Sequence, residues 1–550
     1  MDELTPIQRH RDKAAAAKAE KEKWLPMWRE LNEAFYPFLY SSLYGTTALE
    51  GMAVRNTKLL DGAPAEALFV LSAGFYNGVT SPARKWLNVK RPGNKPYEEP
   101  KREASVAHSQ ARAKILEVLA GTNYYDSRAV QVYDCAGMGT GVLLCYEDYD
   151  LVCRFTVCPP GSYALITNAS NMVEGFVREV QMTATALLAE FGPEVLPPHI
   201  VDKGKKGGSA GRTQYLVTHI IEENENDGLI SAKTPYREVY YLSGRSFDAP
   251  DYLAKRPLYE WPCAVFRWSC PDNSTYGIPP TVGCYGKAVQ LQNLEYKSDQ
   301  GLDKMISPPL LASHQLKNKP KAFSANGIVY TTDVSPNGGA RPVYQLQVPF
   351  QELEIKRQRI VEAISTTLFN DLFRMVSQLD TVRSATEIDA RREEKLAGLG
   401  PVLHRSYVED IGVVVRRVYG ICLRKGLLSP FAEGDGAEIE FSNILSDVQK
   451  ASDVATLERF MTFVGQLVPV FPELQPKIDV MDVTTQYAEG LGVRPTVLAS
   501  NEDAEAANAQ AAQMAQLQQV ASVAKDFGGA AQSLAGAEAG GGLAAVQSLL

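Results

Sequence analysis

The sequence predicts an α+β chain that is mostly helical, with a β-rich block in its first half and a long two-helix hairpin in its second. Three observations carry this. Apolar residues recur at helical spacing before residue 141 and again after residue 280. Between 141 and 270 the pattern changes to short apolar or β-branched runs separated by turn residues. Two helical stretches of about 25 residues then flank one strand-like excursion at 308–349. The chain has 550 residues, 45% apolar and 22% charged. That composition is ordinary for folded protein, and the length allows three or four units of about 150 residues each.

The first 40 residues read as a charged helix. Trp24, Met27, Trp28, Leu31 and Phe35 fall at helical spacing, with a break or kink at Pro26 and a stop at Pro37. Residues 41–56 read as a polar loop. Helices follow over Pro64–Tyr76, ended by Ser81-Pro82, over Glu98–Leu119 and over Tyr125–Met138. Gly137, Gly139 and Gly141 lie between the last of these and a strand. A phosphate loop would open a helix and end in Lys-Ser/Thr, so these glycines predict a tight turn with positive φ instead. Strands are expected at Val142–Tyr149, Arg154–Cys158, Gly175–Val180, Tyr215–Ile221, Glu238–Leu242 and Ala264–Ser269, with a short helix at Thr183–Phe191. The basic, Gly-rich stretch at 201–212 predicts a solvated hairpin tip.

From 281 to 306 a thin stripe of Val289, Leu294, Leu302 and Met305 lies among Lys287, Glu295, Lys297, Asp299, Asp303 and Lys304, and Ser307-Pro308-Pro309 breaks it. The return helix, Gln351–Phe373, carries Ile360, Ile364, Leu368 and Leu372 in register. Each helix would be about 35 Å long. Stripes this thin do not hold isolated helices, so the hairpin needs a partner. Either it meets the same hairpin in a neighbouring copy, where heterologous repetition closes a ring, or it folds onto its own chain. A polar loop over 374–383 leads to a long helix starting near Ser384, with Glu387 completing a capping box. Leu399-Gly400-Pro401 predicts a kink. Leu403, Tyr407, Ile411, Val414, Val418 and Ile421 continue one face to Gly426. Residues 429–500 read as a smaller helical unit with Leu457, Phe460, Phe463, Val464 and Leu467 on one face. The last 50 residues are Ala/Gln/Gly-rich and of low complexity.

No chemistry of catalysis emerges. The eight cysteines form no Cys-x-x-Cys pair and read as reduced core thiols. The six histidines show no metal-ligand spacing. Glu222-Glu223 and Glu393-Glu394 read as solvated surface. No catalytic, cofactor-binding or metal residue is therefore expected, and no cofactor. No apolar run reaches about 18 residues, so no membrane span is expected, and the charged N-terminus predicts no signal peptide. The net charge is −8, unlike that of a protein built to grip nucleic acid.

In order and spacing, four segments resemble one family, the portal or head-to-tail connector proteins of short-tailed bacteriophages. They are Leu68–Trp86 (LFVLSAGFYNGVTSPARKW), Tyr125–Tyr146 with its GMGTGVLLCY turn, the Tyr276-Gly277 entry to the helix ending at Ile306, and Arg383–Gly400 (RSATEIDARREEKLAGLG). Ser384 stands where that family's pattern has threonine. The likeness runs over roughly residues 20–500.

The resemblance implies a portal fold, with a β-rich wing, a long two-helix stem and a small α/β clip. Residues 1–280 would be wing, 281–307 and 350–373 the stem helices, 308–349 the clip and 374–384 a tunnel loop. Residues 385–428 would be the long wing helix, 429–500 the crown and 501–550 a tail that is a C-terminal barrel or disordered. It implies a homododecameric ring at one capsid vertex of the virion, assembled in the host cytoplasm. Double-stranded DNA would pass non-specifically during packaging and ejection. The packaging motor (terminase) and a tail adaptor would dock at the clip, and major capsid and scaffolding proteins at the wing. Arg374, Ser377, Gln378 and Arg383 become channel candidates, with helix capping or pairing to Asp371 and Asp380 as the plainer role of the two arginines. Lys317, Lys319, Lys321 and Arg341 become clip-interface candidates. Leu294, Leu302, Ile360, Ile364 and Leu368 become stem-packing residues. The alternatives are another phage ring component, such as a tail adaptor, or an enzyme with an unrecognised site.

Overall fold

The computed structural model describes residues 5–45, 53–82, 86–90, 102–226, 229–243 except 232, 251–307, 310–312, 340–342, 347–377, 398–429, 438–441 and 457–465, with a few isolated positions beyond. The chain divides into two units. The larger comprises Met1–Asn88, Ala113–Pro430 and Ile439–Leu445; the smaller comprises Val89–Arg112, Phe431–Glu438 and Ser446–Leu550.

In the larger unit the N-terminal helix runs Pro6–Phe35 and continues through Pro26 without the expected break. An interior proline removes one backbone bond. The aromatic packing of Trp24 on Trp28 and of Trp28 on Tyr276 clamps the helix on both sides of it. Trp28 Nε1 donates to Met138 O at 3.1 Å. The segment read as a polar loop is instead a small ribbon. Phe38–Tyr40 pairs antiparallel with Ala53–Arg55, and the helical turn Ser41–Tyr44 follows the first strand. Asn32 fixes it from the helix, donating to Phe38 O and accepting from Tyr40 N, both at 2.9 Å.

Two antiparallel sheets follow from the β-rich block. One has five strands, in the order Ala254–Leu258, Tyr236–Leu242, Gln214–Glu223, Val173–Thr183 and Tyr163–Thr167. The other has three, with Thr140–Asp148 between Cys263–Arg267 and Val152–Cys158. The strands at 163–167 and 254–258 are additions to the expected set. Both lie at sheet edges, where Pro257 costs no ladder bond. The helix Ala184–Phe191 is capped by Thr183, whose Oγ1 accepts from Ala186 N. The expected basic hairpin tip is helical instead. Pro198–Lys206 and the turn Gly208–Gly211 form there, because Ile200 and Val201 bury against Ala184 and Leu187.

Of the three turn glycines, only Gly139 takes positive φ, at 87°. A Cβ there would lie 1.9 Å from Gly277 O. Gly137 and Gly141 are glycine for a different reason, since a Cβ would run into Tyr36 and into Gln131 O respectively. One large core joins the helix Ala63–Val79, the helix Tyr124–Met138, the three-stranded sheet and the long helix near the C-terminal end of the unit. In that last helix Leu403, Ile411, Val414, Val418 and Ile421 are buried as spaced. Its turns widen to a π-helix over Ser406–Ile411 before Gly412–Arg424 resumes α geometry, and Gly426 follows at φ 69°. The cysteines are free thiols, seven of them buried. In the smaller unit residues 457–465 are helical, but Phe460 and Phe463 are exposed instead of forming a covered face.

Candidate functional site

The two-helix hairpin belongs to the larger unit. Its first helix, Thr281–Ile306, is seated on the glycine turn. Thr281 Oγ1 donates to Gly137 O at 2.8 Å, and Gly277 N donates to Thr140 Oγ1 at 2.9 Å. The face it buries is Cys284, Ala288 and Leu291, not the stripe read from the sequence. Val289, Leu302 and Met305 are exposed, and Leu294 is half-buried against the core. The return helix lies alongside this face, where the small Cys284 and Ala288 pack together with Leu291.

The return helix runs Phe350–Thr367 and buries Ile360 and Ile364. It does not continue to Phe373 as expected. Leu368 ends it, Phe369 sits at φ 55°, and a new helix runs Asn370–Ser377. Leu368 and Leu372 stay buried across the break. Phe373 lies over Gly74, where a Cβ would come within 2.2 Å of its ring. The base of the hairpin is therefore part of this chain's own core, the second of the two partners the sequence left open.

Polar groups reinforce that seat. Gln292 Oε1 accepts from Leu60 N and Asp61 N at 2.7 and 2.9 Å, and its Nε2 returns a bond to Asp61 O. Arg357 reaches both Asp61, at 2.7 Å, and Glu295, at 2.9 Å. Away from the base the surface changes. Tyr296 is 55% and Ile306 70% exposed, and Leu302, Met305, Phe350 and Ile355 are exposed with them.

The remaining candidates fall as follows. Arg374 and Ser377 lie in the helix Asn370–Ser377 and not in a loop. Arg374 pairs with Glu66 at 2.7 Å, both side chains being well exposed, and Asp380 lies outside the described residues. Gln378, Arg383, Lys317, Lys319 and Lys321 lie outside the described residues. Arg341 stands in the strand Ala340–Pro342, opposite Leu311 of Leu310–Ala312.

Sequence reasoning missed the buried arginines. Arg128, on the helix Tyr124–Met138, ion-pairs with Asp410 and donates to Ser406 Oγ at 3.2 Å and Gln131 Oε1 at 2.9 Å. Arg267, on the strand Cys263–Arg267, forks onto Glu409 at 2.7 and 2.8 Å and binds Asn171 O at 2.6 Å. Both acids come from the π-helical turn, a geometry frequent at constrained sites. The signal was present as charged residues inside otherwise apolar periodic segments. Glu222 also differs from expectation. It is buried, not solvated, and accepts from His10 and Lys13 at 2.8 Å and from Arg237. Burial alone would push its carboxyl up, but those three donors outweigh it and hold the group well below the usual range. Glu393 and Glu394 lie outside the described residues.

Among the described residues no group of three His, Cys, Asp or Glu side chains could hold a metal, and no helix is long and apolar enough to cross a membrane. The larger unit thus puts its buried charges into fixing helices on sheets and presents a two-helix hairpin with an apolar outer part, the make-up of an assembly component.

Residues 8–498 match the family model described as bacteriophage head to tail connecting protein, and the chain belongs to that family. It is 28% identical over 499 residues to the portal protein of Salmonella phage epsilon15, covering 89% of this chain and 88% of that one. To the probable portal protein of Bordetella phage BPP-1 it is 25% identical over 496 residues, covering 88% and 86%. The resemblance to portal proteins of short-tailed phages is borne out, as is the α+β class. Among solved structures, a chain from the virion of a native gene transfer agent particle aligns over 74% of this chain and 86% of its own, with 10% identity and a TM-score of 0.36. Family membership makes the protein a head-to-tail connecting component of a phage virion and indicates no catalytic activity.

Proposed function

We propose that copies of this chain close into a ring, twelve in number, at one capsid vertex, and that the ring is the channel for double-stranded DNA during packaging and ejection. The observation that carries this is the apolar outer part of the hairpin. Tyr296, Leu302, Met305, Ile306, Phe350 and Ile355 are exposed on helices whose bases are already buried. A run of exposed large apolar side chains on one element marks an interaction surface, and a head-to-tail contact between identical copies closes a ring. The hairpin is the stem, the part before it the wing, residues 308–349 the clip, the stretch from 374 to 384 the tunnel segment, 385–428 the long wing helix and 429–500 the crown.

The charge suits a sliding duplex. Each phosphate neutralised by a cation releases counterions and deepens the binding well, and at −8 per copy the wells stay shallow. Arg374, with Ser377, Gln378 and Arg383, makes brief contacts that carry no base information. The clip, with Lys317, Lys319, Lys321 and Arg341, docks the packaging motor and then the tail adaptor, and the wing meets capsid and scaffolding proteins. Negative-stain averages of the purified protein at micromolar concentration test the reading. Rings with a duplex-wide channel are expected, and monomers or closed dimers alone would refute it. For the clip, deletion of residues 317–343 is expected to leave the fold intact and abolish motor docking, and DNA packaging by that deletion would refute the assignment.

A further inference from the structure

The five-stranded sheet and the helix Ala184–Phe191 line a cleft of about 290 Å³, close to the size of sites that take small organic molecules. One wall is apolar, formed by Val180, Met182, Phe191 and Val217. Its polar lining is Arg178 and His219, which share strand faces with Val180, Met182 and Val217, together with Tyr146 of the three-stranded sheet, Tyr240, Glu190 and Arg256.

Arg178 is the unusual member. Its Nε donates to His219 Nδ1 at 3.1 Å, and its other polar neighbours are the Cys158 thiol and the hydroxyls of Tyr146 and Tyr240. Among the described residues no carboxylate forms an ion pair with it. The second arginine of the cleft, Arg256, is already engaged, by Glu190 at 2.8 Å and Glu238 at 3.7 Å. The Tyr146 hydroxyl is buried with no hydrogen-bond partner of normal geometry, and so is His219 Nε2, which stands 3.4 Å from Glu238. Burial holds His219 down to about 4, so near pH 7 its ring is neutral, can accept from Arg178 and does not neutralise it. A guanidinium carries five donors in a planar fork. Partly buried and charged, it is surrounded by a thiol, hydroxyls and a neutral imidazole and by no paired carboxylate among the described residues.

We propose that this cleft binds a small organic carboxylate, with its oxygens on Arg178 and the Tyr146 hydroxyl and its apolar stem against Val180, Met182, Phe191 and Val217. The planar fork matches a carboxylate in two parallel bonds. The apolar wall selects a carboxylate carried on a hydrocarbon or aromatic body over a bare oxyanion, which would leave that wall unfilled. Bound there, the ligand bridges the helix Ala184–Phe191 to the sheet and stabilises both. The site is independent of ring assembly.

Benzoate is the probe, titrated calorimetrically into the full-length protein, with inorganic phosphate in a parallel arm. Saturable benzoate binding is expected, with a rise in melting temperature by mass action. Arg178→Gln is expected to weaken it roughly tenfold or more, and Tyr146→Phe by about threefold. Met182→Glu places a carboxylate of the chain itself in the cleft and is expected to abolish binding. If circular dichroism shows Arg178→Gln unfolded, Met182→Glu and Tyr146→Phe decide. Absence of saturation up to about 10 mM, binding unchanged in the folded variants, or phosphate binding as tightly as benzoate would each overturn the proposal.

Discussion

The base and the outer part of the hairpin share two helices and are built on opposite plans. At the base the buried residues are Cys284, Ala288 and Leu291 facing Ile360, Ile364 and Leu368, all inside the main core, with Gln292 and Arg357 tied to Asp61. Farther out, the large apolar side chains are exposed. Apolar periodicity is thus used twice along one helix, first for folding and then for a surface that needs another molecule. The two uses are told apart by what lies opposite, and the periodicity alone does not show it.

The comparison is broken most severely at the base. Ile364→Asp puts a charge into a site with no exposure and is expected to cost on the order of 4 kcal/mol or more, read as loss of the cooperative thermal transition. Arg128→Ala strands Asp410 in the core and is expected to cost about 3–5 kcal/mol. A melting temperature within a degree or two of the parent would show that the pair is dispensable.

A pH series sharpens the base further. Asp134, on the helix Tyr124–Met138 whose Gly137 carbonyl seats Thr281 of the hairpin, is fully buried and accepts from Tyr40 Oη at 2.5 Å. Burial pushes its carboxyl up to about 7, against the pull of Tyr40. With the folded value above the unfolded one, the folded state binds more protons between about pH 4 and 7. Stability from this group is therefore fully present below about pH 4, declines as pH rises to 7 and stays flat above. Asp134→Asn is expected to flatten that slope in chemical-denaturation curves, and an unchanged slope would assign it to other groups.

The smallest effects on stability belong to the surface. Arg374→Ala removes an exposed pair with Glu66 and is expected to cost under about 1 kcal/mol, leaving rings intact. In Ile306→Ser with Phe350→Ser, stability is expected to stay within about 0.5 kcal/mol while ring formation in negative stain is lost. Rings that persist in the double variant would remove the outer hairpin from the interface.

Much of this architecture was legible. Helices with a wide apolar face, such as Ala63–Val79 and Tyr124–Met138, and strands rich in branched residues were found within a few positions, because periodicity reports burial directly. The face of Thr281–Ile306 was misread because Cys284 and Ala288 are too small to stand out beside Val289 and Met305. The break at Phe369 carries no glycine or proline to announce it. Glu222 looked solvated because its partners His10, Lys13 and Arg237 are mostly distant in sequence. The arginine sockets were missed for the same reason, since Arg128 and Asp410 are 282 positions apart.

Those sockets constrain movement. Glu409 and Asp410 are neighbours in the chain, yet each engages an arginine on a different element. A slip of the long helix by one residue, about 1.5 Å, would unseat both ion pairs at once and leave four charges stranded in the interior. Sliding is thereby forbidden, while rotation of the long helix, the helix Tyr124–Met138 and the sheet as a single lever breaks neither bond. Any stroke delivered to residues 398–424 must reach the three-stranded sheet undamped, as through a keyed shaft. Uniform hydrogen-exchange protection along 406–424 would mark that rigidity, and independent opening of the π-helical turn would show slack in the coupling.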